Sequence, residues 1–129
     1  MGESGRIRNG GGPPQGIRRR MTLPNGFLDR LRQLVGTQNV LTLDDDTARY
    51  RREERGLMTS ICDAVVRPAN ADEIASAVKA CVDAGVPIVA MGGNTGLVGG
   101  GVAAGGIILT TERLNRIIEI DPLNNTMTV

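Results

Sequence analysis

The chain has 129 residues, of which 40% are hydrophobic and 22% charged; this suits one modest globular core and is too apolar for a disordered chain. The net charge of +1 hides an asymmetry, because five arginines against Glu3 in residues 1 to 24 leave a body of about −3, which argues against a nucleic-acid-binding domain with its basic face. Aromatic residues are only 2% of the chain and histidine is absent, so the core is aliphatic, and the usual general base, the commonest metal ligand and one common flavin attachment point are missing together.

Residues 1 to 20 combine Gly, Pro and Arg with almost nothing apolar, and such a segment cannot repay the entropy of ordering. A disordered basic extension is expected there, with Arg18-Arg19-Arg20 as a solvated run and Met21 as an alternative start. No stretch approaches the roughly 18 apolar residues of a membrane span, and no apolar region follows the basic start, so a cytoplasmic chain is the default.

Residues 21 to 62 read as an N-terminal helical segment. Phe27, Leu28, Leu31, Leu34 and Val35 recur at helical spacing, with Gly36 placed as a C-cap. Residues 39 to 43 suit a brief strand. Asp44 to Asp46 can then cap a polar helical turn running to about Arg55, whose charges are expected to form a solvated face. Cys62 and Cys81 lack C-x-x-C spacing and read as two core thiols.

From Asp63 the pattern sharpens. Residues 64 to 67 form a short apolar strand closed by Pro68. Asn70 can cap a helix with Glu73 three residues on, and Ile74, Ala77, Val78, Cys81 and Val82 make an i, i+3, i+4, i+7, i+8 stripe that Gly85 ends. Residues 86 to 91 give a second apolar strand, so residues 64 to 91 are expected to be a βαβ unit with parallel strands and a right-handed crossover. Strands over residues 107 to 110 and 116 to 120 follow, and a turn at residues 121 to 125 leads into a last strand over 126 to 129. The fold class is α/β, or α+β overall, with a second β-rich part beginning near the C-terminus.

Eight of the 18 glycines fall between Gly92 and Gly106, directly after the second strand, at the strand end where open α/β sheets bind ligands. Glycines let the backbone visit positive φ and let an anion approach without striking a Cβ, while Asn94 and Thr95 add side-chain donors. A Walker A loop is ruled out because the sole lysine, Lys79, stands on the preceding helix. Gly99, Gly101 and Ala104 fit G-x-G-x-x-A with Glu119 beyond them, but Gly105-Gly106 leave no room for the helix that should hold a pyrophosphate. On spacing alone, a purely structural glycine-rich connection remains open.

Val65-Val66-Arg67-Pro68, Asp72-Glu73-Ile74, Gly85-Val86-Pro87, the run from Gly92 to Gly100, and Leu114-Asn115-Arg116-Ile117 fall in an order that resembles the FAD-binding domain of the vanillyl-alcohol-oxidase (PCMH-type) superfamily. The likeness covers about residues 40 to 129 and is nearest to the D-lactate, glycolate and D-2-hydroxyglutarate dehydrogenase group. It implies that residues 63 to 129 are a partial FAD domain beginning with a small α/β subdomain, in which Gly92, Gly93, Asn94, Thr95, Gly96 and Leu97 bind the flavin's pyrophosphate. Pro68, on the neighbouring strand end, is a weaker carry-over and reads equally as a strand terminator. Some members attach flavin to a histidine, so a chain without histidine implies noncovalent FAD.

The resemblance further implies an oxidoreductase passing two electrons from a small-molecule 2-hydroxyacid to flavin, the electron acceptor being left open. Catalytic and metal-binding residues belong to later parts of such enzymes, and none is assigned within these residues. The alternative is a noncatalytic α/β module, alone or paired with a second chain, whose glycine loop is structural or takes another phosphorylated ligand.

Overall fold

A computed structural model describes residues 20–129. The expected extension therefore lies outside the described residues except for Arg20, which pairs with Asp44.

Four strands form the main sheet in the order β1-β2-β4-β3. β1 (Val40–Leu41) runs antiparallel to β2 (Ala64–Val66), while β2, β4 (Ile107–Thr110) and β3 (Ile88–Met91) are parallel. The strands of the expected βαβ unit are thus parallel but not neighbours, because β4 inserts between them. The reason lies in side-chain burial: all four residues of β4 are buried, whereas β3 is only partly covered and takes the edge. β3 also begins at Ile88 rather than at residue 86, since Val86 still bonds back to Cys81 through its N–H.

The central strands have two buried faces, and their side chains alternate between them with the period of two that a pleated strand imposes. Ala64, Val66, Ile107 and Leu109 point into one cluster with α1 (Phe27–Val35) and α3 (Ala71–Asp83). Val65 and Ile108 point into the other, with Tyr50 of α2 (Asp44–Arg51), Cys62, Met91 and Ala103. Leu31 is wholly buried in the first cluster, a contribution of about 1.5–3 kcal/mol for such a side chain. Both cysteines are buried and free, and burial pushes their thiols above the ordinary range.

α3 starts as expected: the Asn70 side chain accepts from the Glu73 N–H at 2.9 Å, and Glu73 accepts from the Ala69 N–H at 2.8 Å. Its buried face is rotated from the expected one. Ala77, Ala80 and Cys81 are buried while Val82 is 69% exposed and Val78 also faces outward, because α1 and the sheet pack on the Ala77, Ala80 and Cys81 side of the helix.

After β4 the chain leaves the sheet. β5 (Glu119–Asp121) and β6 (Thr126–Thr128) pair antiparallel as a separate hairpin. The expected strand from residue 116 is shorter, and the turn is set by the Asp121 carboxylate, which accepts from the N–H groups of Leu123 and Asn124.

Candidate functional site: the glycine loop after β3

β3 delivers the chain at Met91, beside the end of β4 at Thr110, into a loop that contains no helix between residues 92 and 106. The loop has two mechanically different halves. Residues 103 to 106 are tied down: the Ile61 N–H donates to Ala103 O, the Gly105 N–H to Ile61 O, and the Asp63 N–H to Gly106 O. The Asp63 carboxylate and the Ser60 hydroxyl accept from the Gly106 and Ala103 N–H groups. In the first half, no N–H of residues 93 to 97 donates a hydrogen bond to another described residue.

The first half lines a pocket of about 270 Å³, to which Gly92, Gly93, Asn94, Thr95 and Gly96 all contribute. Positive φ, expected of these glycines, is largely absent: in the loop up to residue 101 it occurs at Gly99 (76°) and at Asn94 (56°). An added Cβ at Gly92, Gly96 or Gly100 would meet nothing within 4 Å, and at Gly93 only the Thr95 methyl at 3.8 Å. The chain's own packing and backbone therefore do not require glycine at these positions, and what their lack of a side chain provides is open space above the backbone.

Asn94 holds the loop in place by donating through Nδ2 to the carbonyl of Arg52 at 2.8 Å. Thr95 and Gly96 are exposed; Leu97, also exposed, does not line the pocket, and Pro68 is fully buried at the end of β2 with β4 between it and the loop.

α2, expected only as a polar helical turn, and the residues after it form the other wall. Arg49, Tyr50, Arg52 and Glu53 border hollows that also include Gly93 and Asn94. Thr47 and Tyr50, one turn apart, are buried and seat α2 on the sheet, while Asp44, Asp45, Asp46 and Arg49 are exposed and form the expected solvated face. The helix begins at Leu43 as N-cap, without a side-chain cap from the aspartates, and ends at Arg51 rather than near Arg55.

Glu112, just beyond β4, gathers the polar residues of this wall. It accepts from Arg49 at 3.0 and 3.1 Å, from the Tyr50 hydroxyl at 2.8 Å and from Arg67 at 3.2 Å. The Arg49 guanidinium also lies 4.4 Å from the Tyr50 ring centre. Burial, reinforced by the Glu112 carboxylate, pushes the Tyr50 phenol above its ordinary value, so it is a neutral donor at physiological pH. The Arg55 guanidinium holds the Glu53 carboxyl below the usual carboxylate range, with help from the Leu57 N–H. A single signal in the sequence pointed to this wall, a lone tyrosine in a polar run.

Known proteins resemble the chain in sequence and in fold. A family described as "FAD binding domain" matches residues 62–129. Glycolate oxidase subunit GlcD of Bacillus subtilis is 37% identical over 105 residues, covering 78% of this chain and 22% of that protein. D-2-hydroxyglutarate dehydrogenase of Xanthomonas citri is 33% identical over 100 residues, covering 77% of this chain and 21% of its own length. The chain thus spans little more than a fifth of these curated relatives. Among solved structures, p-cresol methylhydroxylase with substrate bound superposes with a TM-score of 0.62 at 25% identity, covering 76% of this chain and 20% of that one. An alkyldihydroxyacetonephosphate synthase gives 0.70 at 17% identity over 80% of this chain and 23% of that one, a likeness of fold alone.

Proposed function

The chain belongs to the FAD binding domain family, and from that premise we propose that residues 92 to 97 hold the diphosphate of noncovalently bound FAD in an oxidoreductase acting on a 2-hydroxyacid. The observation that carries the reading is the run of glycines that nothing in the fold requires, set beside backbone N–H groups with no partner among the described residues. A phosphate oxygen needs both: donors in the backbone, and no Cβ between them and the ligand. Gly92, Gly93 and Gly96 supply the clearance, Asn94 fixes the loop to Arg52, and Thr95 adds a hydroxyl. Leu97 contributes its backbone N–H alone, and Pro68, buried with β4 between it and the loop, lies outside the proposed contact.

FAD, when bound, supplies the two-electron acceptor. The residues here bind and orient it. Substrate class rests on relatives named for glycolate and D-2-hydroxyglutarate, and no residue of this chain is assigned a role in proton transfer.

The hollows beside the loop are open to solvent, and the donors they offer suit the diphosphate alone. The 129-residue chain is accordingly expected to bind FAD weakly and to lose it on gel filtration, because a few charge-assisted hydrogen bonds of about 1.5–3 kcal/mol each must offset the cost of association. Equilibrium dialysis should show FAD binding more tightly than riboflavin, which lacks the diphosphate. A yellow one-to-one complex surviving gel filtration would contradict the half-site, and equal affinity for FAD and riboflavin would contradict the loop assignment.

A further inference from the structure

A diphosphate brings negative charge to the loop, yet residues 84 to 111 contain no charged side chain at all. Any counter-charge must come from another segment, and the wall formed by the end of α2 is the one in place. We infer that Arg52, with Arg49 beside it, supplies the cationic rim that neutralises the diphosphate held by the glycine loop; this rests on the reading of that loop given above.

Arg52 and Arg49 border the same hollow as Gly93 and Asn94. The backbone of Arg52 is fixed to the loop by the 2.8 Å bond from Asn94 Nδ2, so the guanidinium pivots from a point anchored to the binding site itself. Arg52 forms no ion pair among the described residues, whereas most other arginines nearby do. Its neighbour Glu53 is already engaged by Arg55 at 3.0 Å and by the Leu57 N–H at 3.1 Å, so that carboxylate does not hold Arg52. Its guanidinium lies against the backbone of Gly56, near enough that an added Cβ there would come within 3.3 Å of it, an exposed position from which it can swing to a ligand.

Arg49 plays the complementary, fixed part. It is held on Glu112 and over Tyr50, and Arg67 shares the same carboxylate, so two guanidinium groups answer one carboxylate and the cluster stays net positive. Glu54 borders the hollow as an opposing charge.

The test is equilibrium dialysis of the 129-residue chain with FAD, ADP and riboflavin at low and at physiological ionic strength. Arg52→Gln should weaken FAD and ADP on the order of tenfold, the loss of one charge-assisted hydrogen bond, and should flatten their salt dependence while leaving riboflavin unchanged. Arg52→Lys should restore much of the affinity and the salt dependence, and Glu54→Gln should tighten FAD, an arm that stands even if Arg52→Gln fails to fold. Parental FAD affinity and salt dependence in both Arg52→Gln and Arg49→Gln, with preference for FAD and ADP over riboflavin intact, would overturn this inference alone. Equal weakening of riboflavin would also overturn it, by showing a structural role. If the parent chain shows no preference for the diphosphate ligands, the loop reading falls and the rim falls with it.

Discussion

Gly93→Val is expected to reduce FAD binding at least about a hundredfold, the equivalent of losing two charge-assisted hydrogen bonds, while the chain still folds. The backbone at Gly93 lies outside the left-handed region, so a β-branched residue is not strained there by φ. A Cβ would touch only the Thr95 methyl at 3.8 Å, and the rest of the valine would extend into the pocket that the loop lines. The cost therefore falls on the ligand and not on the fold. Gly93→Ala sharpens the contrast: by restricting the unfolded chain it should stabilise the protein by about 0.4–1 kcal/mol and still weaken FAD. Val98, 93% exposed, is the control, and Val98→Ala should change neither stability nor affinity. Urea denaturation and flavin fluorescence quenching measure the two effects separately. Undiminished quenching with Gly93→Val would remove the loop from the site, and its unfolding would favour a structural turn.

Gly106→Ala is expected to do the reverse, destabilising the fold by on the order of 3 kcal/mol whether or not FAD is present. Gly106 has φ of 77°, and a Cβ there would stand 2.3 Å from the carbonyl oxygen of Pro87. That oxygen accepts from the Ile107 N–H at 2.9 Å where β3 and β4 begin to pair. Left-handed backbone costs a side-chain-bearing residue roughly 1–2 kcal/mol, and displacing the strand pairing adds about 1 kcal/mol per hydrogen bond lost. Urea denaturation measures it; a midpoint unchanged from the parent would mean that β3 and β4 do not meet as described. Two glycines thirteen positions apart in one glycine-rich stretch thus serve opposite purposes, Gly93 for a ligand and Gly106 for the sheet.

That division was not legible in the sequence, where all eight glycines look alike; it appears only when the space around each Cβ position is known. What the sequence did carry was local. The spacing of Phe27, Leu31 and Val35, the Asn70 and Glu73 capping pair, and the apolar runs at residues 64 to 66 and 107 to 110 each follow from short-range pattern, and each element formed where expected. The order of the strands did not follow, because three short apolar runs carry no mark of which lies in the centre. Which side of a helix meets its neighbour is likewise a tertiary property, and here Ala80 is buried and Val82 is not. α2 was expected as a polar helical turn, but its buried face was not, because two buried residues, Thr47 and Tyr50, are too few for a stripe. Missed with that face were Arg49 and Arg52, residues of the site that lie some forty positions before the loop they flank.

The central claim is that the amides of residues 92 to 97 receive the diphosphate of FAD, and an FAD titration of the 15N-labelled chain followed by amide chemical shifts tests it most directly. Saturable shifts are expected to concentrate at Gly92, Gly93, Asn94, Thr95 and Gly96, reproduced by ADP and absent with riboflavin. Shifts that leave these residues unmoved, while others respond to FAD, would contradict it.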